Sequence, residues 1–251
     1  MSMNRVLMSS AQPVHSWDEP AGIAPRGTLV LLPGRGEHGG VYERFGRRIS
    51  ADGYRVRALG DASSDPEAIT EAATKLLRDE THPGPRVLVG SDTGAAHAAQ
   101  LAALGTPGLD ALILAGLPTG PHPTETDTAD WEDELEQRTA CPTHRGRLTA
   151  DEAFRRGALA APTALESPAL DGISVPVLGL HGAEDTVSPL DAVRRVFRGL
   201  PGAELVSLGG TRHDVLNDVT HRTAAATVVL FLERLRLDSG LAPIAVTEDL
   251  R

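Results

Sequence analysis

Short apolar runs alternate along the chain with longer segments of helical periodicity. The runs are rich in Val and Leu and end at Gly, Pro or Asp, which is typical of strands buried on both faces of a parallel sheet. They predict strands over residues 27–32, 54–59, 86–90, 109–115, 175–180 and 203–208. Helical patterns lie between them, over residues 41–51, 66–79, 95–103, 189–198 and 217–235. This alternation predicts an α/β fold with right-handed crossovers and helices on both faces of a mostly parallel sheet.

One stretch, residues 119–172, interrupts the alternation. It is Pro-rich at its start, helical around 131–137 and 150–159, and has no convincing strand. Insertions of this kind cover substrates above the carboxyl ends of sheet strands. We therefore expect a small helical cap at 119–172, inserted into one core domain formed by residues 1–118 and 173–251. A weak pattern at 5–17 suggests an initial pair of strands, whereas 238–251 shows no periodicity.

Composition limits the classes of partner. The net charge of −10 disfavours nucleic acid and anionic membrane surfaces, which repel an acidic protein. A single cysteine, Cys141, cannot form an internal disulfide, and residues 1–17 contain no apolar signal segment, so we expect a cytoplasmic protein. The histidines show no metal-ligand spacing, and the glycines of 34–40 lack the Lys of a phosphate loop. We expect neither metal nor cofactor.

The segment around Asp92 has the pattern of a nucleophile elbow. A buried run leads through Gly90, Asp92 and Gly94 into an alanine-rich helix. The central residue of such a turn is strained, so the positions two before and two after it must be small. Centring the turn on Ser91 would put β-branched Val89 and Thr93 at those positions, so Asp92 is the candidate nucleophile. The alternative is that Asp92 only caps the helix.

Two further polar loops follow predicted strands. Asp185 lies in the loop after the strand at 175–180, and His213 lies in the glycine-containing loop after the last strand. The order of nucleophile, acid and histidine is the order found in the α/β-hydrolase fold. We therefore predict a catalytic triad of Asp92, Asp185 and His213.

The chain resembles α/β-hydrolases, in particular the branch of monoacylglycerol lipases and lysophospholipases. The resemblance rests on residues 32–42, the elbow at 90–94, and the loops at 181–189 and 210–217, and it covers most of the chain outside the cap. Two departures stand out. The family usually has His-Gly where this chain has Pro33-Gly34, and it has serine where this chain has Asp92.

An Asp nucleophile is similar to that of epoxide hydrolases and haloalkane dehalogenases of the same fold, which form an alkyl ester that activated water hydrolyses. The cap here has no tyrosine to act as the acid of an epoxide hydrolase, and Thr93 stands where dehalogenases have tryptophan. A carboxylate suits displacement at an sp³ carbon, because attack on an ester carbonyl would give a mixed anhydride. We expect neutral His213 to be the base toward water, with the backbone N–H groups of Arg35 and Thr93 as oxyanion donors.

The sequence thus predicts a hydrolase acting on a small apolar epoxide, ester or lactone, through a covalent Asp92 ester or through Asp92 as a general base. Gly34, His38 and Trp131 are candidate substrate contacts, although His38 also suits loop support and Trp131 suits packing. The alternatives are an esterase with an altered nucleophile, and a non-hydrolytic cyclase, lyase or ligand-binding protein on the same fold. A small-molecule substrate is the expected partner, and a homodimer is left open.

Overall fold

The computed structural model describes residues 14–120, 130–162, 165, 170–238, 240–246 and 248. Within them a seven-stranded sheet has the order β1-β3-β2-β4-β5-β6-β7. Only β1 pairs in the antiparallel direction, with β3. The strands are β1 His15–Trp17, β2 Gly27–Leu32, β3 Tyr54–Ala58, β4 Arg86–Ser91, β5 Ala111–Ala115, β6 Val177–Gly182 and β7 Ala203–Leu208. This confirms the predicted mostly parallel sheet. The proposed partner of β1 falls in 5–13, outside the described residues.

Helices connect the strands as the periodicity predicts. They are α1 Glu43–Ala51, α2 Pro66–Arg78, α3 Thr93–Ala103, α4 Trp131–Arg138, α5 Pro142–Ala150, α6 Leu190–Arg198 and α7 His221–Leu237. Local sequence determines where α2 begins. The Asp65 side chain accepts from the Ala68 N–H at 3.0 Å and Pro66 occupies the first helical turn. Among the helices in the described residues, none is long and apolar enough to cross a membrane.

The interior strand β2 contributes to two apolar cores, one on each face of the sheet. Leu29 and Leu31 belong to the core on the side of α1 and α7, whereas Val30 and Leu32 belong to the core on the side of α2 and α3. All four side chains are fully buried. Burying a side chain of this size stabilises the fold by roughly 1.5–3 kcal/mol. Burial on both faces explains why the strand reads as a continuous apolar run.

The cap differs from its prediction in one helix. The expected helix at 131–137 is confirmed as α4, but the one expected at 150–159 is wrong: the second helix, α5, ends at Ala150. The side chain of Asp151 accepts from the Ala153 N–H at 3.0 Å and turns the chain, and Gly157 then adopts a φ of 79°. A short 3-10 turn, Ala158–Ala160, is the helical structure that follows among the described residues up to 172. The described part of 119–172 contains no strand.

Candidate active site

Asp92 lies on a strained turn between β4 and α3. Its φ of 49° and ψ of −123° are sterically unfavourable for a residue with a side chain. A Cβ on Gly90 would lie 2.3 Å from the Gly94 carbonyl oxygen, and one on Gly94 would lie 2.1 Å from the Leu32 carbonyl oxygen. The Asp92 N–H donates to the Ala115 carbonyl at 3.0 Å, which ties the turn to β5. The structure therefore has the elbow geometry inferred from the glycine spacing.

Asp92, Asp185 and His213 lie together, in the loops that follow the carboxyl ends of β4, β6 and β7 respectively. His213 Nδ1 is 2.9 Å from Asp185 Oδ2, and His213 Nε2 is 3.2 Å from Asp92 Oδ1. The first contact is a hydrogen bond, whereas the second lacks hydrogen-bond alignment and leaves buried Nε2 without a hydrogen-bond partner among the described residues. All three residues are buried. The predicted triad is thus assembled, with one donor position of His213 still open.

Asp185 is held by its own loop. Its Oδ1 accepts from the backbone N–H groups of Val187 and Ser188, both at 2.9 Å. Burial alone would raise the pKa of Asp185, but the charge and hydrogen bond of His213, together with the charge of His181 and the Ser188 N–H, outweigh burial and lower the pKa. His181 Nε2 lies 2.7 Å from the Ser188 carbonyl oxygen, and burial lowers the pKa of His181. Neutral His181 therefore supports the loop, while Asp185 remains an anion.

The side chain of Arg35 covers both carboxylate oxygens of Asp92. Arg35 Nε and Nη2 donate to Asp92 Oδ2 and Oδ1 at 2.8 and 2.9 Å, and the Arg35 backbone N–H donates to Oδ2 at 3.0 Å. The guanidinium also donates from Nη1 to the carbonyls of Leu159 and Ala161 in the cap, at 3.2 and 3.4 Å. The predicted oxyanion donor of Arg35 is therefore already bonded to the carboxylate, which is closed off from solvent.

The charges of the site determine the protonation of His213. Burial alone would raise the pKa of Asp92, but Arg35 and His213 hold it well below its usual value. Burial alone would lower the pKa of His213, but Asp185 and Asp92 raise it to about 10. An imidazolium between two carboxylates, with a guanidinium beside them, therefore describes the resting site at neutral pH. The neutral His213 that the role of base toward water requires is therefore not the favoured form while Asp92 and Asp185 are both anionic.

A second group of buried charges lies behind the loop after β2. Arg138 of α4 donates to the Arg35 carbonyl at 2.9 Å and to Glu134 Oε1 at 3.0 Å. Its Nη1 lies 3.7 Å from Glu37 Oε1 and 3.5 Å from Asp214 Oδ1. Burial and the charge of Asp214 raise the pKa of Glu37 to about 8, against the opposing charge of Arg138. Sequence reasoning missed this group, although the spacing of Glu134 and Arg138 is that of an ion pair on one helix face.

This group also contains a possible metal-ligand geometry. Ligand atoms of Glu37, His144 and Asp214 lie within 4.8 Å of one another, and all three residues are buried. His144 Nε2 is 3.0 Å from Asp214 Oδ2. The guanidinium of Arg138 lies within the same cluster and already supplies its positive charge.

Cap helix α4 is bonded directly to the histidine loop. The backbone N–H of His213 donates to the Gln137 carbonyl at 3.4 Å, and the N–H of Asp214 donates to the Arg138 carbonyl at 2.8 Å. The carboxyl end of α4 therefore helps to position His213. No sequence signal in α4 indicated this role.

The other predicted site residues lie in different surroundings. The N–H of Gly34 donates to Glu37 at 2.9 Å, and a Cβ there would lie 3.1 Å from the Asp92 Cβ. Thr93 begins α3 and is fully buried. His38 Nε2 contacts Asp151 in the cap at 2.8 Å, as loop support requires.

Trp131 packs inside the cap. Its ring lies 5.5 Å from that of Phe154, and the guanidinium of Arg156 stacks over it at 4.7 Å. Neither Trp131 nor His38 lines the recess of which Arg35 forms part of the wall. The described contacts therefore favour a packing role for Trp131 and loop support for His38 over contact with a substrate.

A recess of about 340 Å³ lies next to the buried site. Its lining includes Arg35, Ser63, Arg155, Arg156 and Gly157. Arg35 lines this recess and also donates to both oxygens of Asp92, so one side chain contacts both.

Comparison with known proteins gives the fold. No protein-family model matches the chain, and no curated protein matches it. The monoacylglycerol lipase of Paleococcus ferrophilus superposes with a TM-score of 0.70 at 15% identity, covering 88% of this chain and 98% of that one. A soluble variant of the monoglyceride lipase of Saccharomyces cerevisiae gives 0.68 at 16% identity, covering 88% and 90%. An esterase from Exiguobacterium antarcticum gives 0.60 at 18%, covering 88% and 94%.

Proposed function

Starting from the α/β-hydrolase fold that these likenesses show, we propose that the chain is a hydrolase whose nucleophile is the carboxylate of Asp92. The observation that carries the proposal is the strained elbow that directs Asp92 toward His213, at 3.2 Å, while Asp185 orients the other side of the ring at 2.9 Å. Strain of this kind costs of order 1–3 kcal/mol and is found where function requires it. A helix cap does not explain it, because the Asp92 side chain makes no capping hydrogen bond.

The substrate is an epoxide or a lactone opened at an sp³ carbon. The Asp92 carboxylate attacks that carbon, the carbon–oxygen bond breaks, and the His213 imidazolium gives its Nε2 proton to the departing oxygen. The open donor position of Nε2 suits this transfer. The products of the step are a neutral Asp92 ester and a neutral imidazole, so His213 takes over the role that epoxide hydrolases give to cap tyrosines.

Hydrolysis of the ester restores the resting charges. Once Asp92 is esterified it no longer stabilises the imidazolium, and neutral His213 can take a proton from water. Hydroxide then adds to the Asp92 carbonyl carbon, and we assign the N–H groups of Arg35 and Thr93 as donors to the resulting oxyanion; the Arg35 N–H already donates to Asp92 Oδ2 at 3.0 Å. Collapse releases the alcohol with the remaining proton and returns a carboxylate beside an imidazolium.

Isotope labelling tests this scheme directly. Single turnover of an epoxide or lactone in ¹⁸O-water should place the isotope in the peptide containing Asp92, because water attacks the carboxyl carbon. Isotope in the product alone would contradict the covalent scheme. Fluorophosphonates should not label the protein, since they report serine nucleophiles.

Two substitutions test the roles of the carboxylate and the imidazole. Asp92→Asn should abolish turnover, and His213→Gln should abolish it too, because it removes the proton donor of the first step and the base of the second. His97→Gln is the matched control, because His97 is a buried histidine of α3 bonded to Thr70 and lies outside the triad. Turnover that survives Asp92→Asn would remove the assignment.

A second candidate is a ligand-binding protein or a non-hydrolytic enzyme on the same fold. The observation that favours it is the double hydrogen bond from Arg35, which occupies both oxygens of Asp92. In that function Asp92 holds Arg35 in place and does not react. Saturable ligand binding without turnover of any epoxide, ester or lactone would support it.

A further inference from the structure

The recess beside Arg35 has a basic wall. Three arginines, Arg35, Arg155 and Arg156, line its volume of about 340 Å³, and none of the described lining residues is acidic. Its volume is at the small end of the roughly 300–1,000 Å³ range of small-molecule sites. Guanidinium groups are the side chains that bind carboxylates and phosphates through paired hydrogen bonds.

The three arginines differ in how their charge is balanced. Arg155 Nη2 contacts Asp61 at 2.6 Å while its side chain stays 57% exposed. Arg156 donates to the Thr149 carbonyl at 2.7 Å and stacks on Trp131, and both of these partners are uncharged. Among the described residues Arg156 therefore has no carboxylate partner, and its positive charge is available to an anion in the recess.

Arg35 connects the recess to the catalytic carboxylate. Asp92 has two cationic neighbours, Arg35 and the His213 imidazolium, for a single negative charge. If Arg35 turned toward an anion in the recess, Asp92 would keep the second cation. The exchange replaces one Arg–carboxylate pair by another of the same kind, so its cost is small compared with breaking a buried pair outright.

We propose that the recess binds the anionic group, a carboxylate or a phosphate, of a small substrate, and that this group draws Arg35 away from Asp92 and exposes the nucleophile. The substrate class becomes an epoxide or lactone that carries an acidic group, in place of the apolar substrate predicted from the sequence. The exposure of a nucleophile rests on the proposed function, whereas the binding of the anion does not.

Calorimetric titration with inorganic phosphate and, separately, with propionate tests the binding at constant ionic strength. Saturable binding of either probe is expected, and the stronger of the two identifies the anionic group. Arg156→Gln should weaken binding about tenfold, which corresponds to about 1.4 kcal/mol. Arg47→Gln removes the same charge from an exposed position on α1 and should leave binding unchanged. An equal loss in both variants, or no saturation by either probe, would overturn the proposal.

Trp131 locates the site of binding. The chain has two tryptophans, so a Trp17→Phe background leaves Trp131, with Arg156 at 4.7 Å from its ring, as the fluorescent reporter. Phosphate or propionate in the recess should change its emission with the affinity measured by calorimetry. An emission that does not follow binding would place the anion elsewhere and overturn the proposal.

Asp92→Asn tests the exchange of Arg35 without any turnover. Removing the competing carboxylate should increase anion affinity about tenfold, and unchanged affinity would refute the exchange. Circular dichroism confirms that the variant is folded before titration. Anion binding without hydrolysis would support an anion site in the recess and contradict the proposed hydrolase function. Hydrolysis of uncharged epoxides without anion binding would support the hydrolase function and contradict the anion site.

Discussion

The pair of Arg35 and Asp92 should show strong energetic coupling in a double-mutant cycle. Their side chains are 3% and 2% exposed and meet through contacts of 2.8 and 2.9 Å. Removing one partner of a buried pair leaves the other charge uncompensated and costs about 3–5 kcal/mol. Arg35→Met should lower the free energy of unfolding by about 3 kcal/mol, the lower end of this range, because Asp92 keeps His213 as a cationic neighbour.

The partner substitution and the double variant complete the cycle. Asp92→Asn leaves the guanidinium of Arg35 without its carboxylate but preserves its two bonds to cap carbonyls, so about 3 kcal/mol is again expected. In the double variant neither charge remains to be compensated. We expect its loss to be smaller than the sum of the single losses by at least about 2 kcal/mol.

Guanidinium unfolding and scanning calorimetry measure these losses. For a chain of this length about 1 kcal/mol lowers Tm by roughly 2–4 °C, so each single variant should melt about 6–12 °C below the parent. Arg156→Met is the control, because its side chain is exposed at the recess and it should change Tm little. Losses that add within about 0.5 kcal/mol would refute the view that the two charges stabilise each other.

Two further predictions concern His213 and the elbow. The folded-state pKa of His213, about 10, lies above its ordinary value of 6.5. The stabilisation that protonated His213 gives is therefore complete below pH 6.5 and is lost as the pH rises toward 10. Tm should fall between these two pH values, and His213→Gln should flatten the dependence of Tm on pH. Gly94→Ala should prevent folding or lower Tm sharply, since its Cβ would lie 2.1 Å from the Leu32 carbonyl oxygen, whereas Gly146→Ala in α5, with open space around its Cβ, should stabilise by about 0.5–1 kcal/mol.

The sheet and the elbow could be predicted because local sequence determines them. Each central strand is buried on both faces, so it appears as an apolar run, and the turn at Asp92 needs glycine at two fixed positions. Loops that follow parallel strands meet at one edge of the sheet, which brought Asp185 and His213 together. Topology alone was sufficient for that part of the site.

The contacts of Arg35 could not be predicted, because they depend on the rotamer of a long side chain and on carbonyls of Leu159 and Ala161 more than a hundred residues away. The protonation of His213 could not be predicted for a related reason, since it depends on the charges that surround the ring in the folded chain. The helix expected at 150–159 failed for a local reason: Asp151 and Gly157 favour turns that the apolar periodicity does not register.

The hydrogen bonds between α4 and the histidine loop restrict how this protein can be recombined with others of its fold. Residues Gln137 and Arg138 accept the N–H groups of His213 and Asp214, so the last turn of α4 belongs functionally to the core although it lies in the inserted segment. A chimera that exchanges 119–172 for a foreign insert would misplace the imidazole, whereas one whose junctions retain 131–139 would keep it. A foreign segment after α4 would still remove the carbonyls of Leu159 and Ala161 that bind Arg35, so the insert is tied to the site on both sides of α4.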